Sequence, residues 1–219
     1  MASRPKQAEP RPAPRLYLVT PAIADAQAFA APLAAALGAG DVAAVLLRLA
    51  EADERTQINR VKMLCPLVQD KGAALLIDGR IDIVARGGAD GAHVAGTAAF
   101  DQAIERLKPE RIVGVGGLTT RHDAMVAAEA GADYVMFGEP AAGGERPSLE
   151  SIEERVAWWA EVFEIPCVAY AASTEEVAPL VKAGADFIAL GDWLWRDAQT
   201  TAAQIVRASA ELRLPESAA

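Results

Sequence analysis

Three times in this chain a stretch of helical period stops at Gly-Ala-Asp and a short apolar run begins: Gly88-Ala89-Asp90-Gly91, Gly131-Ala132-Asp133-Tyr134 and Gly184-Ala185-Asp186-Phe187. Local chemistry explains the motif. Gly accepts the left-handed conformation that ends a helix, Ala allows close packing under a sheet, and Asp turns the chain into the strand. Three copies imply one αβ unit used repeatedly, so the rest of the chain can be read against that unit. Eight short aliphatic or β-branched runs follow from it: 16–19, 43–48, 74–77, 91–94, 112–115, 134–137, 167–170 and 187–190. Between them, 26–37, 56–69, 98–107, 120–130, 152–163 and 174–183 repeat apolar residues at helical spacing. A short turn over 81–85 fills the remaining gap, and a final helix follows the eighth run.

Strands this short and continuously apolar, separated by helices, are parallel and buried on both faces. Eight units in 219 residues favour a closed (β/α)8 TIM barrel of the α/β class over an open sheet. Pro66 would kink one helix and Pro179 falls late in another. Residues 1–14 carry four prolines among charged side chains and almost nothing apolar, so they read as a flexible tail, with the barrel spanning 15–219. The formal net charge of −9 argues against a nucleic-acid or anionic-membrane partner, since both demand a basic face. The chain offers neither an apolar membrane span nor a signal peptide, which points to the cytoplasm. Cys65 and Cys167 are too far apart for a metal-binding pair and read as buried thiols.

In a barrel the chemistry gathers where strands end. The residues there are Thr20, Arg48, Asp78 with Arg80, His93, Gly114 to Gly117, Glu139, Ala171 with Ala172, and Gly191 with Asp192. Arg48, closing an otherwise apolar strand, is either a strand-end salt bridge or an anion contact. The run Gly114-Val115-Gly116-Gly117 is either a phosphate cradle or a tight strand-to-helix turn capped by Thr119 or Thr120. His93 reads as a hydrogen-bonded strand-end residue and His122 as a surface one. Of Trp193 and Trp195 at most one reaches the pocket mouth, the other packing on a helix or a partner. One of the adjacent Trp158 and Trp159 must face away from the core and is a candidate homodimer contact.

The segments Leu16-Tyr17-Leu18-Val19-Thr20, Leu46-Leu47-Arg48, Leu76-Ile77-Asp78-Gly79-Arg80, Asp90-Gly91-Ala92-His93-Val94, Gly131-Ala132-Asp133-Tyr134-Val135 and Ile165-Pro166-Cys167-Val168-Ala169 together resemble the thiamine phosphate synthases and their metal-free relatives, the thiazole tautomerases. The resemblance implies a (β/α)8 barrel that joins hydroxymethylpyrimidine diphosphate to thiazole phosphate, releasing pyrophosphate with magnesium. Several functional positions depart from the family. Its Gln-Leu-Arg-x-Lys is Leu46-Leu47-Arg48-Leu49-Ala50 here, keeping the Arg alone. Its first metal Asp aligns with Gly79, one place after Asp78, and its second falls in Gly96-Thr97-Ala98-Ala99. Its Ser and following His become Gly116-Gly117-Leu118-Thr119, its phosphate-contacting Thr-Lys becomes the segment opened by Glu139, and its Gly-Gly becomes Ala171-Ala172.

The resulting expectation is a thiamine phosphate synthase-like barrel that binds a small phosphorylated or anionic ligand through Arg48, Arg80, Gly116, Gly117 and Gly191. Asp78 and His93 are the candidate catalytic groups. No metal site is expected, and synthase turnover is expected to be lost with the missing cations and carboxylates. The alternatives are an active synthase, with Mg2+ as cofactor, and a metal-free isomerase using Asp78, His93 or Glu139 as proton carriers.

Overall fold

The structure is a computed structural model that describes residues 12–141, 144–197 and 199–213. Eight strands alternate with eight helices: β1 (Arg15–Ile23), α1 (Ala26–Gly38), β2 (Val42–Leu49), α2 (Glu54–Gln69), β3 (Ala74–Asp78), α3 (Val84–Gly87), β4 (Gly91–Ala95), α4 (Thr97–Leu107), β5 (Ile112–Gly116), α5 (Arg121–Glu129), β6 (Tyr134–Phe137), α6 (Leu149–Val162), β7 (Cys167–Ala171), α7 (Val177–Lys182), β8 (Phe187–Leu190) and α8 (Thr201–Glu211). Each strand pairs in parallel with the next, and β8 pairs with β1, so the sheet closes into a barrel. All eight expected strands are present. Of the tail, residues 1–11 lie outside the described residues, and Arg15 opens β1. Among the described residues no helix is long and apolar enough to cross a membrane.

The Gly-Ala-Asp units hold the barrel's N-terminal rim. Their glycines all sit at positive φ, between 84° and 100°, which a side chain would resist, and their alanines are buried. The aspartates do more than turn the chain, which corrects the local reading above. Asp90 accepts from the Leu75 amide at 2.7 Å and donates its own amide to the Leu75 carbonyl; Asp133 does the same with Val113, and Asp186 with Cys167. Each therefore clamps the start of the preceding strand. The clamps fall on alternate strand pairs, β3/β4, β5/β6 and β7/β8. At β1/β2 Asp41 takes a variant of the role, accepting Arg15 through its carboxylate and the Leu16 amide through its carbonyl.

The helices begin where short polar side chains can cap them. Asp25, Asp53 and Ser148 accept amides three residues on, and Thr120 with Asp123 forms a reciprocal capping box. Pro179 does not fall late in a helix. Residues Thr174–Glu176 form a separate 3-10 turn, which puts Pro179 in the first turn of α7, where its missing N–H removes no helical bond. Pro66 is accommodated within α2. Both cysteines are buried and no disulfide joins them.

Replacing Asp133 or Asp186 with Ala strands a buried strand amide, so each variant should lose about 1–3 kcal/mol of stability. Asp101→Ala, at an exposed position on α4, should stay within about 0.5 kcal/mol of the parent. Urea unfolding of the three variants checks this, and equal losses would remove the clamp.

Candidate active site at the C-terminal strand ends

Strand geometry turns alternate residues inward, and the inward set can be followed strand by strand. Tyr17 and Val19 on β1, Ala44 and Leu46 on β2, Leu76 on β3, Tyr134 and Met136 on β6, Val168 and Tyr170 on β7 and Ala189 on β8 form one cluster inside the barrel. Continuing that alternation by two residues arrives at Arg48, Asp78 and Gly191, and the same phase on β4 and β5 carries His93, Gly114 and Gly116. Of the candidate residues, Arg48, Asp78, His93, Gly116 and Gly191 thus share the lumen-facing register. Gly79, out of phase with Asp78, does not.

An eight-stranded barrel has room inside only for side chains that fit together. All three tyrosines of the chain occupy this lumen, and glycines make the room. A Cβ on Gly114 would stand 1.9 Å from the Tyr134 ring, and one on Gly191 would stand 1.8 Å from the Tyr170 hydroxyl. One on Gly116 would stand 1.9 Å from Oε1 of Glu139. Gly116 and Gly191 are therefore not open cradles, since neighbouring side chains cover them. Gly117, at φ 61°, is exposed and makes the turn out of β5. The helix that follows is capped by Thr120.

Above the tyrosines runs one hydrogen-bonded chain. The Tyr17 and Tyr134 hydroxyls lie 2.9 Å apart, Tyr134 lies 3.1 Å from Nδ1 of His93, and Nε2 of His93 lies 3.1 Å from Oε2 of Glu139. The imidazole stacks nearly parallel to the Tyr134 ring. Burial pushes the Tyr17 and Tyr134 phenols well above their ordinary range, so both remain protonated donors. With Glu139 ionised, one arrangement satisfies every member: Tyr17 donates to Tyr134, Tyr134 to Nδ1, and Nε2–H to Glu139. His93 is almost fully buried and meets the outside only through Glu139.

The other half of the face is charged. Arg48 donates through Nε to Asp78 at 3.1 Å and through Nη1 to Asp192 at 2.8 Å, while its own amide is held by Thr20. Its side chain stays 27% exposed, and among the described residues Nη2 donates to none. Arg80 does not join this cluster. It pairs with Asp82 through Nε and Nη2 and reaches Gln57 through Nη1, pulling it toward α2. That pairing holds the Asp82 carboxyl below its usual range.

Arg146, which the sequence reading did not single out, and the tryptophans, which it did, complete the surroundings of the site. Arg146 bonds the Gly138 and Tyr170 carbonyls and Glu176, pinning the segment after β6 to β7. Trp193 and Trp195 both serve the scaffold, donating to the carbonyls of Ala171 and Val19 at the ends of β7 and β1. Trp195 packs on Phe29 of α1. Trp159 is buried, whereas Trp158 is half-buried beneath the Arg121 guanidinium. His122 is exposed, as expected.

A cleft of ≈ 530 Å3 opens between the ends of β4, β5 and β6, lined by Gly96, Gly117, Leu118, Phe137, Glu139 and Arg155 among others. A larger groove of ≈ 700 Å3 lies between α6 and α7 on the outer wall, lined by Glu153, Glu154, Pro179 and Lys182. It has none of the strand-end groups, so the cleft is the chemically relevant opening. Among the described residues no three His, Cys, Asp or Glu side chains cluster as a metal site.

Against known proteins, residues 16–193 match the family model described as thiamine monophosphate synthase. A protein named thiamine-phosphate synthase from Rhodospirillum centenum is 45% identical over 195 residues, covering 87% of this chain and 94% of its own length. One of the same name from Hyphomonas neptunium is 36% identical over 207 residues, covering 90% and 93%. Among solved structures, a thiamine phosphate pyrophosphorylase from Pyrococcus furiosus superposes with a TM-score of 0.75 at 22% identity, covering 90% of this chain and 95% of that one. At that identity the superposition speaks for the barrel alone.

All three phenols, Tyr170 included, are raised above the ordinary value by burial. The unfolded chain therefore releases these protons first. Their contribution to stability is complete below about pH 10 and declines above it, by about 1.4 kcal/mol per pH unit for each tyrosine. Alkaline titration should show phenolate absorbance rising in one step with loss of the barrel's circular dichroism. A tyrosine that titrates near its free value in the folded protein would contradict the lumen packing.

Proposed function

The chain belongs to the thiamine monophosphate synthase family, and from that membership we propose that it acts as a thiamine-phosphate synthase, joining a pyrimidine diphosphate to a thiazole phosphate at the C-terminal face of the barrel. Two things support this over the binding-only reading. The similarity to relatives named for that activity runs over nearly the whole chain. The observation that carries the reading is Arg48 held between Asp78 and Asp192.

Departure of a diphosphate accumulates negative charge, which a planar, permanently charged guanidinium is suited to meet. Arg48 stands at the inward end of β2, partly exposed, with its charge neutralised by two carboxylates that a polyanion can displace. Exposed pairs of this kind are worth at most about 1 kcal/mol each, so opening them costs little. Against the expectation that the metal ligands are lost, the same two carboxylates are candidates to hold an ion. Magnesium held mainly by substrate phosphates needs only one or two protein carboxylates. Asp78 and Asp192 form such a pair, and Asp192 comes from the end of β8, where the family segments gave no reason to seek a ligand. When bound, the ion would supply further positive charge to the leaving diphosphate. The chain's own residues bind and orient: Arg48 for the diphosphate, Thr20 fixing the backbone from which Arg48 projects, and Arg146 holding the β6 and β7 ends together.

A second reading has its own observation. The buried His93–Glu139 pair could move a proton on a bound ligand without metal, which is isomerase chemistry on the same barrel.

With hydroxymethylpyrimidine diphosphate, thiazole phosphate and Mg2+, the purified protein should form thiamine phosphate. Arg48→Ala should lower kcat/KM by about a hundredfold or more, and Asp192→Asn should raise the Mg2+ concentration needed for half-maximal rate. Turnover no faster than background in the unmodified protein would overturn the synthase reading and leave the proton-transfer reading standing.

A further inference from the structure

We propose that the cleft between the ends of β4, β5 and β6 recognises a flat heterocycle through its N–H donors, with Glu139 as the specificity-determining acceptor, and that this part of the face excludes phosphate. The proposal rests on the synthase reading and deepens it, by assigning the ring end of a substrate to one half of the face and its phosphates to the other. It also runs against the family pattern, which has a phosphate-contacting lysine in the segment where this chain carries Glu139.

A carboxylate, Glu139, stands in the wall of the cleft. Glu139 is only 14% exposed, yet among the described residues its side chain receives one hydrogen bond, from His93. An ionised carboxylate offers about four acceptor sites, so the bond from His93 leaves lone pairs that a ligand's N–H groups can meet. The group is seated deliberately. Oε1 lies over Gly116, at a spot where any other residue would put a Cβ, and the His93 ring behind it is locked by Tyr134. His93 is thus a positioning residue that fixes the carboxylate as an acceptor.

Charge decides what that acceptor faces. Arg155 lines the cleft, but its two Nη atoms donate to the Leu118 and Thr119 carbonyls and its guanidinium lies over Phe137. Against it stand Glu139 and Glu145, both in the lining. With two acids against one cation, the charged side chains of the lining carry a net negative charge, which disfavours an anion and favours N–H donors or a cation. Leu118, Met136, Phe137 and Pro140 supply apolar walls, and ≈ 530 Å3 is enough for a substituted ring. A protonated ring nitrogen and an adjacent amino group, as in 2-aminopyridinium, can give a carboxylate two parallel hydrogen bonds, as a guanidinium does.

The test uses rings that carry no phosphate and require no turnover, so it stays separate from the synthase assay. By calorimetry, 2-aminopyridine should bind at least about tenfold more tightly than pyridine, and inorganic phosphate should not displace it. Glu139→Gln should abolish most of that preference while the protein keeps its cooperative thermal transition. Gly116→Ala, which evicts the carboxylate from its seat, should do the same. Should either variant fail to fold, the comparison of the two rings on the unmodified protein still decides the matter. Equal affinities for the two rings, binding of neither, displacement by phosphate, or an undiminished preference in folded Glu139→Gln would each overturn the proposal, even if the protein makes thiamine phosphate.

Discussion

The volume inside an eight-stranded barrel is fixed by strand number and tilt, and every other feature of this site follows from how that volume is filled. Three tyrosines take most of it, two of them facing strand glycines across which no Cβ could fit. Buried phenols must find partners, because an unsatisfied hydroxyl in an apolar lumen costs more than the packing around it returns. Tyr17 and Tyr134 find each other, and Tyr134 finds His93. A packing solution at mid-barrel therefore sets the orientation of the imidazole at the top.

The C-terminal face is consequently divided by electrostatics. Over β2, β3 and β8 the side chains are long, charged and partly hydrated, so the Arg48 cluster can rearrange around a polyanion at small cost. Over β4, β5 and β6 the polar groups are buried and held by geometry, and rearrangement would leave a buried group unpaired. One half is free to rearrange and the other is held in place. Such a division suits a reaction in which a flexible, highly charged leaving group departs from a rigid ring.

The fold was legible in the sequence because its signals are local. Glycine at a helix end, alanine beneath a sheet and apolar runs too short for helices each constrain the backbone wherever they stand, and all eight strands could be placed from them. The partners of those signals were not legible. That Asp90 would reach the Leu75 amide, or Asp192 the Arg48 guanidinium, depends on which strands become neighbours. The glycines of β5 were ambiguous for the same reason. Both a phosphate cradle and a tight turn are local readings, whereas the observed cause, room for Tyr134 and Glu139, is a contact between strands. Arg80 drifted from its expected place because Asp82, two residues along, competes for it. One clue was available: Asp78 and Arg48 share the inward alternation with Leu76 and Leu46, which strand period alone could have flagged over Gly79.

The direction of the hydrogen bonds carries the argument from core to face. Burial keeps both phenols protonated, so where Tyr17 donates to Tyr134, the Tyr134 proton is free for His93 Nδ1. An imidazole that accepts at Nδ1 in its neutral form must carry its proton at Nε2, and that proton points at Glu139. The carboxylate is thereby held as an acceptor with its other lone pairs turned to the cleft. The tyrosines in the lumen and the acid at the rim are thus one coupled choice. In this arrangement the acceptor at the end of β6 completes a hydrogen-bonded chain that begins with the packing of the lumen.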